Sequence, residues 1–436
     1  MKKYLKIGIP LLLILVCAAV YAFVPGAKTV THQTARATKA VAAHYQLTSS
    51  VDAFSLRQVI TADSKTSRTI MWQSQMDEKD AVAEYRLKGS DDAYALKAVN
   101  DTYEDDGTTL YVHTAELTGL EPGKTYEYRV GYGEKRSDWH ELTTAGNDST
   151  FKAIIFPDSQ SSDYSVWKDT AEPAWKANQD AAFFINMGDL VDNGEDHNQW
   201  NAWFDTLDGI GMIDRIPVAP LMGNHETYNE NWKVRMPVSY LHMFSLPKVT
   251  PEKYQNQYYS FDYGDIHFVV LNTQLTEMTE FQPDMLADEI AWFKNDMEKT
   301  DKKWKVVLMH KDVLQYSFQN RPEPRPEGIS EEGRAFMPLF DEYKVDVVLT
   351  AHLHTYRNRG HIQNFQRNAN GPLYIITGVA GNVRYPGLWK QHALDETVAP
   401  QPETDNYMTL EASENELQFK SFLPSGELLD NAAVQK

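Results

Sequence analysis

The chain has 436 residues, 42% hydrophobic and 12% aromatic, which excludes a disordered or fibrous protein and exceeds what one typical core supports, so two domains and a terminal appendage are expected. A formal net charge of −19 repels polyanions, so no nucleic-acid-binding surface is expected unless a local cationic centre overrides the field. The single cysteine, Cys17, excludes a disulfide within the chain.

At the N-terminus, Lys2, Lys3 and Lys6 precede an apolar run from Ile7 to Val24. Residues 1–24 therefore read as a signal peptide or an N-terminal membrane anchor. Val20-Tyr21-Ala22 offers small residues to a signal peptidase, whereas Leu15-Val16 gives Cys17 no lipidation context. Cleaved or retained, the segment places the rest outside the cytoplasm, secreted or attached to the cell envelope. Residues 25–52 follow as a linker, rich in Thr, Ala, Lys and Gln without a sustained apolar period.

Residues 53–146 alternate as short strands. Leu56–Ile60, Arg68–Trp72, Glu84–Leu87 and Thr109–His113 are separated by polar or glycine-containing turns, the spacing of an all-β sandwich. No titratable cluster lies here, so a structural role is expected, with His113 and His140 as strand or surface residues. Residues 147–436 read as α/β, with strands at Lys152–Phe156, Ala182–Met187, Ile216–Leu221, His267–Leu271, Val306–Met309, Val345–Leu349 and Leu373–Ile376. Leu286, Ile290, Phe293 and Met297 form one face of a helix over 286–299 and read as core.

Five clusters follow strands in order: Asp158-Ser159-Gln160, Gly188-Asp189-Leu190-Val191-Asp192, Gly223-Asn224-His225-Glu226, His310, and Ala351-His352-Leu353-His354. Alone, a strand-end Asp is usually a cap and a lone His usually a satisfied core residue. Five in sequence at strand ends, where open sheets bind ligands, point to a metal centre. Two cations about 3.5 to 4 Å apart need a bridging carboxylate, for which Asp189 is the candidate. Mixed imidazole and carboxylate donors suit Fe, Mn or Zn over Mg or Ca. Two dications against two carboxylates and one hydroxide leave a positive centre that attracts a phosphate ester despite the acidic surface.

The clusters resemble the calcineurin-like metallophosphoesterase pattern D-x-H, G-D-x-x-D, G-N-H-E/D, H and G-H-x-H. Tyr258–Phe268 looks like that family's central strand pair, and Leu120-Glu121-Pro122-Gly123 followed by Tyr126, Tyr128 and Val130 resembles the late strands of the fibronectin type III-like domain in front of purple acid phosphatases. The resemblance implies a four-layer α/β domain with two packed mixed β-sheets behind that sandwich. It implies two divalent or mixed-valence ions, one held by Asp158 and His354, the other by Asn224, His310 and His352, with Asp189 between. His225 would face substrate and Asp192 would orient it through a carboxylate-to-imidazole hydrogen bond. The implied reaction is in-line attack on phosphorus by a hydroxide held on the ions.

Three positions depart from the pattern. Gln160 stands where many members have His, so the first ion takes an amide oxygen or lacks one protein ligand. Asp192 stands where purple acid phosphatases carry their chromophoric tyrosine, so no purple colour is expected. Ala351 replaces a glycine, a tolerable change. His197, Tyr356 and Arg357 are candidate substrate contacts, and the Arg321–Gly328 and Gly371–Leu388 loops candidate specificity elements. His267 reads as packed in its strand, and His32, His44, His242, His361 and His392 show no partner spacing. The expected activity is an exported phosphomonoesterase. A phosphodiesterase with the same site, or an inactive metal-dependent envelope protein, are the alternatives.

Overall fold

The computed structural model describes residues 27–44, 50–319, 321–322, 324–400, 403 and 405–436. The signal or anchor segment and Cys17 lie outside the described residues. Among those described, no helix is long and apolar enough to cross a membrane.

The expected linker contains a helix, Ala27–His44. Its apolar face is built from alanines, good helix formers that hydropathy patterns understate. Ala40 and Ala43, three residues apart, are fully buried. Arg36 pairs with Asp205, bonds Asn201 Oδ1 at 2.9 Å and stacks over Phe54, fastening this helix to the helix His197–Gly209.

The N-terminal β domain has two layers. One contains Phe54–Val59, Arg68–Ser74, Thr108–Leu117 and Val99–Asp105, the other Tyr94–Lys97, Ala81–Leu87, Thr125–Tyr132, Lys135–Arg136 and His140–Thr143. Residues of one strand parity, among them Ile70, Trp72, Ala83, Ala115, Tyr128 and Val130, fill the space between them. The first layer does not end with this domain. Val59 pairs in parallel with Val218, so it continues through Val218–Pro220, Phe183–Asn186, Phe151–Phe156, Tyr407–Ala412, Glu416–Phe422 and Leu428–Gln435 as one ten-stranded sheet. Strand alternation reveals neither this distant partner nor the three C-terminal strands that complete the sheet.

An eight-stranded sheet faces it, running from Tyr259–Tyr263 through Ile266–Leu271, Trp304–Met309, Val347–Thr350 and Leu373–Thr377 to Tyr356–Gln363 and Gln366–Arg367, with Thr397–Val398 also pairing with Tyr356–Gln363. The hairpin read as a central pair lies at the edge of this sheet, where Asp262 N–H donates to Ala62 O at 3.1 Å and ties it to the β domain. Both sheets mix parallel and antiparallel pairs. Phe183 packs against Phe261 and Phe268 between the sheets. Its neighbour Phe184 meets Phe156, which turns to Trp167 on the helix Tyr164–Ala177. Val306 and Leu308 join the core shared by the sheets, whereas Val307 and Met309 join that under the helices Met285–Lys299 and Glu331–Glu342. The layers are thus helix, sheet, sheet, helix.

His267 is not simply packed. Its Nδ1 lies 2.8 Å from Asp262 and its Nε2 3.0 Å from Asp296. Burial works against its charge, but the two acids outweigh burial and raise its pKa to about 9.

Candidate metal centre

The strands Phe151–Phe156, Phe183–Asn186 and Val218–Pro220 run parallel in one sheet, as do Trp304–Met309 and Val347–Thr350 in the other. Their carboxyl ends therefore present Asp158, Asp189, Asn224, His310 and His352 in one place. Backbone shape holds these loops. Asp189, His352 and His354 have φ of 48°, 69° and 51°, a region costly for non-glycine residues and concentrated at functional sites. A Cβ on Gly188 would lie 2.5 Å from His310 Nδ1, and one on Gly223 would lie 2.1 Å from Asp189 Oδ1. Only glycine permits either approach.

Two groups of donor atoms result. Asp189, His310 and His352 form one and Asp158, Asp189 and His354 the other, with the donor atoms of each within 4.8 Å of one another and Asp189 common to both. The His310 ring donates Nδ1–H to Met187 O at 2.9 Å. Its Nε2 lone pair then faces Asp189 Oδ2 at 3.1 Å and Asn224 Oδ1 at 3.2 Å. His354 donates Nδ1–H to Val383 O at 2.7 Å, leaving Nε2 3.6 Å from Asp158 Oδ1. Asp189 Oδ2 and His352 Nδ1 are buried without a hydrogen-bond partner. Acceptors facing acceptors, with orphaned buried atoms beside them, fit cations and little else.

The titration of these groups agrees. Burial lowers His354 to about 4 and drives His352 well below its ordinary value, keeping both rings neutral as metal ligation requires. Burial raises Asp158 to about 7. At Asp189 burial acts in the same sense, yet His310 and His225 overcome it and hold the carboxyl far below the usual range. His310 rises to about 9 because Asp189 and Asp158 outweigh burial, so without an ion its Nε2 carries a proton at neutral pH, and its lone pair is presented only when a cation takes that proton's place. A site that attracts a proton so strongly attracts a cation for the same reason.

His225 lies 2.6 Å through Nδ1 from the backbone carbonyl of Asp192, whereas the Asp192 carboxylate is 3.6 Å away. The orienting contact is therefore the carbonyl of Asp192, not its side chain. Gln160 directs Nε2 to His225 Nε2 at 3.1 Å and to Asp192 Oδ1 at 3.4 Å, and its Oε1 is buried and unpaired.

Three expected substrate contacts lie elsewhere. Tyr356 is buried and donates to Asp430 Oδ2 at 2.8 Å, and Arg357 is buried in an ion pair with Asp395 at 2.6 Å. Both begin a strand whose side chains enter the core, so position after the histidine pair is misleading. His197 starts its helix, with its N–H bonded to Asp106 Oδ2 at 3.2 Å. None of the three lines the cavity over the metal groups. That cavity, about 220 Å³, is lined by Asp189, Asn224, His225, His352 and His354 together with Phe318, Arg321, Tyr385, Leu388 and Trp389. Both suspected loops thus contribute to it, and the ring of Tyr385 lies 4.9 Å from that of His354.

Glu226 is a residue the sequence reading passed over. Its carboxylate is buried and accepts the N–H groups of Asp189, Leu190, Val191 and Gly223 at 2.6 to 3.4 Å. Burial and Asp189 push it up to about 7, against the N–H groups of Gly223 and Leu190, which favour the ionised form. It clamps the loop carrying Asp189 to the loop carrying Asn224. Its place beside His225 in the quoted motif is the signal that could have found it.

Residues 137–356, half of the chain, match the model of the calcineurin-like phosphoesterases. The chain belongs to that family. Residues 53–144 match the N-terminal domain of purple acid phosphatases. Among curated relatives, purple acid phosphatase 23 of Arabidopsis thaliana is 29% identical over 42% of this chain and 38% of its own length. Purple acid phosphatase 15 of the same plant is 24% identical over 69% of this chain and 60% of its own. The chain spans less than two thirds of either relative. A purple acid phosphatase from yellow lupin seeds superposes with a TM-score of 0.70 at 17% identity, covering 88% of this chain and 74% of its own. That likeness establishes a shared fold: an N-terminal β domain followed by a phosphoesterase domain of several sheets.

Proposed function

We propose that this calcineurin-like phosphoesterase hydrolyses phosphomonoesters at a binuclear metal centre. Asp158, Asp189 and His354 would hold one ion, and Asp189, Asn224, His310 and His352 the other. The observation that carries this is Asp189 shared between two donor groups, with the His310 lone pair aimed at Asp189 and Asn224. Family membership and the relatives' names support the reaction class. Imidazoles among carboxylates favour Fe, Zn or Mn. When bound, such ions supply charge stabilisation for the phosphoryl group and an activated water.

The chain's own groups do the rest. His225 stands at the cavity wall and donates its Nδ1–H to the Asp192 carbonyl. Burial opposes its protonation, but Asp189 and the Asp192 carbonyl raise its pKa above the ordinary histidine value. It can therefore carry a proton on Nε2 for the departing oxygen. Gln160 donates to the neutral Nε2, and on protonation of the ring this becomes a donor–donor contact that is lost, freeing the Nε2 proton for the departing oxygen. Phe318, Leu388 and Trp389 add apolar lining to the cavity.

We read the front domain as fibronectin type III-like, on the Pro-Gly turn and tyrosine alternation, and the chain as exported, on its charged and then apolar N-terminus. The test of function is hydrolysis of 4-nitrophenyl phosphate against bis(4-nitrophenyl) phosphate with metal content measured on the same sample. Monoester turnover tracking metal content supports the reading; turnover of the diester alone, or of neither by metal-loaded protein, refutes it.

A further inference from the structure

Beside His225 one large side chain faces solvent. Trp232, beside the cavity-lining His225 but not itself part of the cavity wall, is 57% exposed, unusual for a tryptophan. Its ring centre lies 5.7 Å from that of His225 at 86°, and Tyr228 stands 5.6 Å from the same imidazole. Trp232 also has φ of 59°, a conformation that bulky residues rarely adopt.

The turn that imposes it is firmly built. Trp232 N–H donates to Asn229 O at 2.8 Å, and Asn229 Oδ1 accepts from the N–H groups of Asn231 and Lys233, each at 2.9 Å. Asn193, from the loop after Asp189 and Asp192, donates to the same Asn229 carbonyl at 2.6 Å. The metal-centre loop thus anchors the turn that carries Trp232. Strain and exposure at a position so constrained cost stability, set against ring contacts with His225 and, at 6.1 Å, Tyr228.

The rim beside the other histidines is aromatic as well. Trp389 donates Nε1–H to the carbonyl of Leu353, between His352 and His354, at 2.9 Å, and lies 5.6 Å from Phe318. With a net charge of −19 the surface disfavours a polynucleotide, so the ring that meets these side chains arrives on a small ester.

Resting on the phosphatase reading above, we propose that the substrates are phosphomonoesters whose leaving group carries a flat aromatic or heteroaromatic ring, such as nucleoside monophosphates, and that Trp232 is the platform for that ring. Trp232 acts on specificity and takes no part in the chemistry. Offset stacking on an indole is worth about 1 kcal/mol, or roughly fivefold in kcat/KM.

Adenosine 5′-monophosphate and ribose 5-phosphate share the same leaving hydroxyl and differ in the base, so their kcat/KM ratio isolates the ring. The full chain, metal-loaded, is expected to favour the nucleotide by about fivefold or more, Trp232→Ala to bring the ratio towards one, and Trp232→Phe to restore most of it. Equal rates for the two esters in the unsubstituted protein, or a ratio unchanged by Trp232→Ala, would overturn the proposal. Because 4-nitrophenyl phosphate is assayed alongside, absence of all hydrolysis is distinguishable: it would overturn the phosphatase reading and this one with it.

Discussion

Gln160 and His225 meet nitrogen to nitrogen, with Gln160 Nε2 3.1 Å from the ring Nε2 that faces the cavity. With His225 Nδ1 held at the Asp192 carbonyl, this contact fixes the ring at both ends. Gln160→Ala is expected to lower kcat by roughly tenfold, the usual scale for a residue that positions another, while two ions per chain remain. Steady-state kinetics with elemental analysis checks both. Loss of one ion would assign Gln160 as a ligand instead.

Glu226 accepts four main-chain N–H groups from two loops, which an amide cannot do because half of its polar atoms are donors. Glu226→Gln is therefore expected to destabilise the fold by roughly 2 to 4 kcal/mol and to weaken metal binding, although Glu226 touches no ion in the proposed centre. Urea unfolding and metal titration would show it. Unchanged values for both would mean the clamp is unimportant.

His267, held by Asp262 and Asp296, gives the protein a pH-dependent stability. Its folded pKa of about 9 lies above the ordinary 6.5. Below 6.5 the ring is charged in both states and its contribution is complete; the contribution is lost as pH rises towards 9. The full shift corresponds to about 3 kcal/mol. Urea unfolding at pH 6.5 and 9 is expected to show that loss, and His267→Asn to be less stable at pH 6.5 and nearly without this pH dependence. An equal slope in the variant would place the dependence elsewhere.

The candidate donors were legible in the sequence because they are confined to short motifs at strand ends, and strand ends need only local periodicity to find. The sequence also placed the helix around Phe293 and most parallel strands, which are apolar runs of ordinary length. Long-range relationships were not legible. Nothing local in Val59 points to Val218, and nothing in Arg357 says that Asp395 neutralises it inside the core. The helix Ala27–His44 was missed because alanines at Ala40 and Ala43 bury well but score weakly as an apolar stripe. At Asp192 the motif located the right residue but not the main-chain atom that makes the contact.

That helix is expected to depend on one side chain. Arg36 joins Asp205, Asn201 and the ring of Phe54, so Arg36→Ala removes an ion pair and a cation–π contact worth together about 1 to 2 kcal/mol. Limited proteolysis should then cut within 27–44 faster than in the unsubstituted chain, with the phosphoesterase domain intact. Equal cutting rates would show that Ala40 and Ala43 suffice.

The central claim is that Asp189 joins two ions into one hydrolytic centre, and the most direct measurement is metal stoichiometry with 4-nitrophenyl phosphate turnover for the unsubstituted protein and Asp189→Asn. The account predicts two ions per chain and turnover in the first, and in the second fewer than two ions with kcat reduced by about a thousandfold or more. Two ions and undiminished turnover in Asp189→Asn would contradict it.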